Sequence, residues 1–208
     1  MELNLTGKSV IVTGGGSNIG RAITLAFARE RAHLTIAEID AAQGGKVAKE
    51  AEREGAPSAV VVRTDVTRWD SVQALTKEVE ARLGRVDVLV NNVGWTMDRL
   101  FVEKTREEWE REVQLNLWSA VNCTRAVLDG MIARQSGAIV SLGSDAGRMG
   151  EFREAVYGAC KAGVIALSKT LAREVGRHGI RLNVVCPGMT MPESDEELSA
   201  RSMWAQET

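Results

Sequence analysis

The feature that most constrains this 208-residue chain is a regular alternation of short apolar runs with longer stretches of helical period. Runs such as Ser9-Val10-Ile11-Val12 and Ala59-Val60-Val61-Val62 show no period-two alternation, which suits strands buried on both faces. Strands are expected near 8–13, 33–38, 58–63, 86–91, 137–143 and 180–186, and helices over 19–30, 40–54, 69–83, 107–134 and 155–177. Strand, helix, strand in succession requires crossover connections, and these build a parallel sheet covered by helices on both faces. The expected fold is α/β: a doubly wound parallel sheet in a single domain, 1–208. No repeat, linker or composition break precedes residue 188. Beyond Pro187-Gly188 the chain turns polar and acidic, as in Pro192-Glu193-Ser194-Asp195-Glu196-Glu197, and about 188–208 reads as a substrate-side flap.

Composition removes several function classes. A formal net charge of -2 gives no electrostatic reason to expect nucleic acid or an anionic membrane as partner. No apolar run approaches the roughly 20 residues needed to span a bilayer. The N-terminus, Met1-Glu2-Leu3-Asn4-Leu5, lacks a basic-then-apolar leader. Three widely spaced cysteines (Cys123, Cys160, Cys186) do not suggest a disulfide framework, and two distant histidines, His33 and His178, do not suggest a metal cluster. A reduced, cytoplasmic setting is expected, with no metal.

The first strand runs into Thr13-Gly14-Gly15-Gly16-Ser17-Asn18-Ile19-Gly20 and then an amphipathic helix. Strand, glycine-rich turn and helix form the context of a phosphate-binding loop, because glycines let backbone approach a pyrophosphate and the helix start offers unpaired N–H groups. An ordinary tight turn accounts for such a stretch as well. The second strand delivers Glu38, eighteen residues after Gly20. A carboxylate there accepts hydrogen bonds from ribose hydroxyls and repels an added 2'-phosphate, and no lysine or arginine lies in the loop before Gly20. This favours NAD over NADP. Asp40 competes for the same role, and a solvated strand-end residue is the bland alternative.

Essentially along its whole length the sequence resembles the short-chain dehydrogenases/reductases of the compact type. Thr13, Gly14, Ile19 and Gly20 match that family's glycine motif, with Asn18 where a glycine is usual. Asn91-Asn92-Val93-Gly94 resembles the family's Asn-Asn-Ala-Gly stretch. The active-site signature Tyr-x-x-x-Lys stands here as Tyr157-Gly158-Ala159-Cys160-Lys161, with Ser144 thirteen residues before the tyrosine and Asn116 in the long preceding helix. The resemblance implies a Rossmann-type fold and a nicotinamide-dependent interconversion of alcohol and carbonyl. It implies a catalytic set of Asn116, Ser144, Tyr157 and Lys161, with Asn116 anchoring a water in a proton relay. It also implies dinucleotide contacts from Gly14, Ser17, Asn18, Ile19, Gly20, Glu38, Asp65, Val66, Asn92, Gly94, Tyr157, Lys161, Pro187 and Thr190. Such proteins have a further strand and substrate-side helices beyond the sixth strand. The expected sheet therefore lacks its final strand, whether the sequence is incomplete or the protein dispenses with it.

Elementary chemistry runs the same way. Tyr157 and Lys161 lie at i,i+4 on one helix face. A tyrosine with a pKa of about 10 is a poor base at neutral pH, and a nearby ammonium with a positive nicotinamide ring should lower that value. Tyr157 is the sole tyrosine in the chain. Ser144 would donate a hydrogen bond to the reacting oxygen.

For substrate, Ser144-Asp145-Ala146-Gly147-Arg148 followed by Glu154-Ala155-Val156-Tyr157 resembles the branch acting on 3-oxoacyl thioesters and 2-hydroxycyclohexanecarboxyl-CoA. Trp95, Asp145, Ala146, Arg148, Phe152, Met189 and Met191 are candidate pocket residues, although a loop arginine is as readily a solvated one. Small and apolar residues around the Tyr157 helix predict a second subunit against helices 107–134 and 155–177, in a homodimer or homotetramer. Two alternatives stay open: an NADPH-dependent 3-oxoacyl reductase, and a nucleotide-sensing module without turnover.

Overall fold

The computed structural model describes residues 3–190. Six strands form one sheet: β1 (Ser9–Thr13), β2 (His33–Glu38), β3 (Ser58–Arg63), β4 (Val88–Asn91), β5 (Gly137–Leu142) and β6 (Ile180–Val185). Every pairing is parallel, and the spatial order is β3-β2-β1-β4-β5-β6. The helices are α1 (Asn18–Arg29), α2 (Ala41–Arg53), α3 (Trp69–Leu83), α4 (Arg106–Val113), α5 (Ser119–Arg134), α6 (Ala146–Met149) and α7 (Ala155–Val175).

Each strand face has its own core, as apolar runs require. Val10, Val12, Leu34, Ile36, Val88 and Val90 face Leu25 and Ala28 of α1 and Val47, Ala48 and Ala51 of α2. Ile11, Leu89 and Ile139 face Val72, Leu75 and Val79 of α3 and Val127, Leu128 and Met131 of α5. Burial of one such side chain contributes about 1.5–3 kcal/mol, so the alternate residues of β1 tie both helix layers to one strand. The chain leaves β1 toward β2 on one side and returns to β4 on the other. At that reversal the chain leaves β1 and β4 for opposite faces of the sheet, and a crevice lies at the carboxyl ends of the strands.

Two expectations are corrected. The single helix expected over 107–134 is divided by a wide turn over Gln114–Trp118, where the Ser119 N–H bonds to Gln114 O, five residues back. The short helix α6 was not expected at all. Other boundaries moved by one or two residues: β4 begins at Val88, and β5 and β6 end at Leu142 and Val185. Among the described residues β6 pairs only with β5; Ile180 is buried, Leu182 and Val184 are half-buried, and the residues between them are exposed. Met191 and the remainder of the expected flap lie outside the described residues. No helix among the described residues is long and apolar enough to cross a membrane.

Candidate active site

The crevice has a volume of about 690 Å³. Its lining includes Gly14, Ser17, Asn18, Ile19, Gly20, Glu38, Asp65, Val66, Asn92 and Gly94, ten of the residues expected to contact a dinucleotide. The turn after β1 explains its glycines. Gly14 has φ +62°. A Cβ on Gly20 would stand 2.0 Å from Gly14 O, so no larger residue fits. Asn18 has φ +47°, the left-handed region that asparagine tolerates better than most non-glycine residues. Asparagine thus keeps the conformation that glycine would supply.

Asn92 fastens the β4 loop to this turn, its Nδ2 donating to Thr13 O (3.0 Å) and Gly14 O (3.2 Å). Ser17 precedes α1 without a side-chain cap bond, and the first turn of α1 carries no acidic residue. Its N–H groups and positive dipole end are therefore left for an anion.

Glu38 and Asp40 separate clearly. Asp40 Oδ1 caps α2, accepting from Ala42 N (3.1 Å) and Gln43 N (3.0 Å). Glu38 lines the crevice, with Oε2 accepting from Gly16 N (3.1 Å) and Oε1 from Ile39 N (2.9 Å). Asp65 Oδ1 accepts from Thr67 N (3.0 Å) and Thr67 Oγ1 (2.6 Å), which shapes the loop after β3. This combination of glycine turn, uncapped helix start and strand-end carboxylate fits a dinucleotide.

Beyond Gly94 and Trp95, which line the crevice, stand the candidate reacting groups. Lys161, 4 % exposed, reaches back from α7 to donate from Nζ to Leu142 O of β5 (2.8 Å). Its Nζ lies 5.5 Å from the Tyr157 ring centroid. Ser144, two residues beyond β5, is close enough to Tyr157 to lower its pKa, and accepts from Ala146 N (3.1 Å). Asn116, buried in the wide turn, holds Trp95 from both sides: Oδ1 accepts from Trp95 N (3.0 Å) and Nδ2 donates to Trp95 O (2.6 Å). Nδ2 donates as well to Glu112 O (2.9 Å), so both amide protons are engaged and the side chain acts as a clamp.

Gly94 joins the two ends. A Cβ there would lie 3.0 Å from Asn116 Oδ1 and 3.1 Å from Lys161 Nζ. Glycines also set α6 against α7, since a Cβ on Gly147 would lie 2.7 Å from Ala162 N and one on Gly158 2.9 Å from Ala146 O. Of the fourteen expected dinucleotide contacts, Tyr157, Lys161, Pro187 and Thr190 do not line the crevice, nor do Ser144 and Asn116. Pro187 O accepts from Asp145 N (3.1 Å), and Thr190 Oγ1 donates to Gly188 O (3.2 Å), which puts their loop beside the one carrying Ser144.

Of the pocket candidates, Trp95 lines the crevice, whereas Ala146 is buried. Arg148 is paired with Asp145 (3.0 Å). Phe152 and Met189 are exposed. The sequence reading missed Arg111, which lines the crevice and lies 4.1 Å over the Trp95 ring. Its position on the helix leading into Asn116 was the signal available.

The electrostatics differ from expectation in one respect. For the chain by itself, Tyr157 is pushed above its ordinary value by burial, opposed by the Ser144 hydrogen bond and reinforced by the Glu154 charge. Lys161 falls from 10.5 to about 8, because burial disfavours its charge. Desolvation, which sequence spacing does not reveal, dominates, and the opposing pull comes from Ser144 and not from the expected Lys161 ammonium. Glu154 is raised, first by burial and then by Glu151 and Asp98.

Comparison with known proteins agrees with this architecture. The short chain dehydrogenase family profile matches residues 8–202, and the chain belongs to that family. A 3-oxoacyl-(acyl-carrier-protein) reductase of Thermotoga maritima is 37% identical over 201 residues, covering 96% of this chain and 81% of the relative. The enzyme of the same name from Escherichia coli K12 is 36% identical over 206 residues, covering 95% and 79%. The crystal structure of NAD+-bound xylitol dehydrogenase superposes with a TM-score of 0.88 at 29% identity, covering 91% of this chain and 73% of that one. A putative short-chain alcohol dehydrogenase from Sinorhizobium meliloti 1021 gives the same TM-score of 0.88 over 94% and 77%. The chain is thus an oxidoreductase of alcohol and keto groups, in a family that works with NAD or NADP.

Proposed function

We propose that this chain is an NAD-linked oxidoreductase interconverting a secondary alcohol and a ketone on a 3-hydroxyacyl or 3-oxoacyl thioester. The observation that carries the chemistry is the place of Lys161 Nζ: bonded to Leu142 O at the end of β5, 5.5 Å from the Tyr157 ring, and against Gly94 of a crevice suited to a dinucleotide. When bound, the dinucleotide supplies the hydride acceptor or donor. Tyr157 accepts the substrate hydroxyl proton at its phenolic oxygen in oxidation and returns it in reduction. Ser144 donates a hydrogen bond to the reacting oxygen, where negative charge develops. Lys161, with its proton held less tightly than usual, would bond the nicotinamide ribose and exchange protons with the phenol. Asn116 keeps Trp95 and Gly94 against Lys161.

Gly14, Ser17, Asn18, Ile19 and Gly20 would hold the pyrophosphate, with Asp65, Val66, Asn92 and Gly94 lining the remainder and Pro187 and Thr190 closing the nicotinamide side. Glu38 supports NAD, because its carboxylate is fixed by three backbone N–H groups, those of Gly16, Ile39 and Asp40, at the end of β2. Arg111, the sole cation lining the crevice among the described residues, stacks on Trp95. The thioester assignment draws on the names of the reductases cited above. Ala155, Ala159, Ala162 and Ala166 are exposed on α7, and Trp118 is 48% exposed, which suits a second copy in a homodimer or homotetramer. Light scattering reads that mass directly.

The test is a cofactor-linked absorbance screen. Acetoacetyl-CoA, 3-hydroxybutyryl-CoA and alicyclic hydroxyacyl-CoA compounds are offered with NAD(H) and NADP(H). Turnover of a thioester, faster with NADH than NADPH, is expected. No turnover on any thioester removes the substrate class, and faster reaction with NADPH removes the role given to Glu38.

A further inference from the structure

Outside the reacting set, the most unusual feature is a buried ion pair. Glu112, at the end of α4, and Lys104, just before it, have side chains 0% and 1% exposed, with Nζ and Oε1 2.5 Å apart. Oε1 also accepts from Thr96 Oγ1 (3.0 Å) and Met97 N (3.2 Å). Three donors therefore converge on one oxygen, while Oε2 is buried without a partner. The main-chain oxygen of the same Glu112 receives Asn116 Nδ2, and Asn116 clamps Trp95. Two side chains one helical turn apart thus fasten Trp95, Thr96 and Met97 in succession, directly after the glycine that abuts Lys161.

Stability alone gives no reason for charges here. A buried ion pair loses hydration that its mutual attraction often fails to recover, and apolar replacements of similar volume are commonly as stable or more so. An apolar pair, however, has no acceptor for the Thr96 hydroxyl and the Met97 amide. We propose that Glu112 is a positioning residue, with Lys104 as its counter-charge. It holds the 95–97 segment so that Gly94 and Trp95 stay in register with Asn116 and Lys161. The proposal rests on the assignment of Tyr157, Ser144 and Lys161 as the reacting set.

Two double variants of the full chain separate positioning from mere support. K104M/E112Q removes both charges and keeps a carbonyl acceptor; K104M/E112L removes the acceptor too. For K104M/E112L, amides of the 94–98 segment should exchange with deuterium about tenfold faster, and kcat for acetoacetyl-CoA reduction by NADH should fall about tenfold, the value of one lost hydrogen bond. NADH affinity, read by quenching of tryptophan fluorescence, should change less than about threefold. K104M/E112Q should stay within about threefold of the parent in exchange and kcat. Equal exchange and equal kcat in the two variants overturn the proposal.

Should K104M/E112L not fold, Thr96→Val removes one of the three donors alone. About threefold faster Met97 exchange with a similar loss of kcat supports the clamp, and unchanged values refute it. A Tyr157→Phe control distinguishes the two levels. If it retains turnover the catalytic assignment is wrong, while the exchange data still judge the clamp.

Discussion

Replacing Lys161 with methionine should make the protein more stable while abolishing its chemistry. Lys161 is 4 % exposed, and burial takes its pKa from 10.5 to about 8. At about 1.4 kcal/mol per pH unit, that difference means the folded state at neutral pH carries a penalty of about 3 kcal/mol for keeping the ammonium charged. Methionine has similar length and no charge. It forfeits the bond from Nζ to Leu142 O (2.8 Å), which costs about 1 kcal/mol. The net gain of about 2 kcal/mol corresponds to a rise in Tm of about 5 °C for a chain of this size.

The pH dependence has a defined sign. Below pH 8 both folded and unfolded wild type hold the proton, and the penalty is complete. Between about 8 and 10.5 the folded state has released it while the unfolded state still binds it, so wild-type stability climbs with pH. The advantage of Lys161→Met is therefore constant below pH 8 and shrinks toward pH 10. Thermal melts of both proteins from pH 6 to 10 make the comparison. A variant that melts lower than wild type, or a gap that stays fixed up to pH 10, refutes the reasoning.

Other consequences follow from backbone and close packing. At Asn18, with φ +47°, glycine should leave Tm and NADH affinity within error, whereas valine should cost about 1–2 kcal/mol and weaken NADH binding; melting and fluorescence titration read both. Gly94→Ala places a Cβ 3.0 Å from Asn116 Oδ1 and 3.1 Å from Lys161 Nζ. Its kcat should fall about tenfold with Tm shifted by less than about 2 °C, since a small displacement of reacting groups costs more in rate than in stability.

The fold was legible because its determinants are local. Apolar runs such as Val86–Val90 and the turn from Thr13 to Gly20 announce buried strands and a crossover, and six parallel strands follow. The closeness of the proposed reacting residues was legible because a spacing of four on a helix brings Tyr157 and Lys161 together in any helical chain. Three things were not legible. The wide turn at 114–118, where Asn116 Nδ2 donates to Glu112 O, leaves no mark in the hydrophobic period. The upward shift of Tyr157 depends on how much water the assembled fold removes. The pairing of Lys104 with Glu112 needs the chain to turn back on itself before α4, and in sequence both look like solvated charges.

The central claim is that Tyr157 moves the proton beside a bound dinucleotide, and one paired measurement addresses it. Tyr157→Phe removes a single oxygen and leaves the glycine turn, Glu38 and Asn92 untouched. NADH affinity should stay within about threefold of wild type, while kcat for acetoacetyl-CoA reduction should fall by about 10²–10⁴. Turnover that survives this substitution at near wild-type rate would contradict the account.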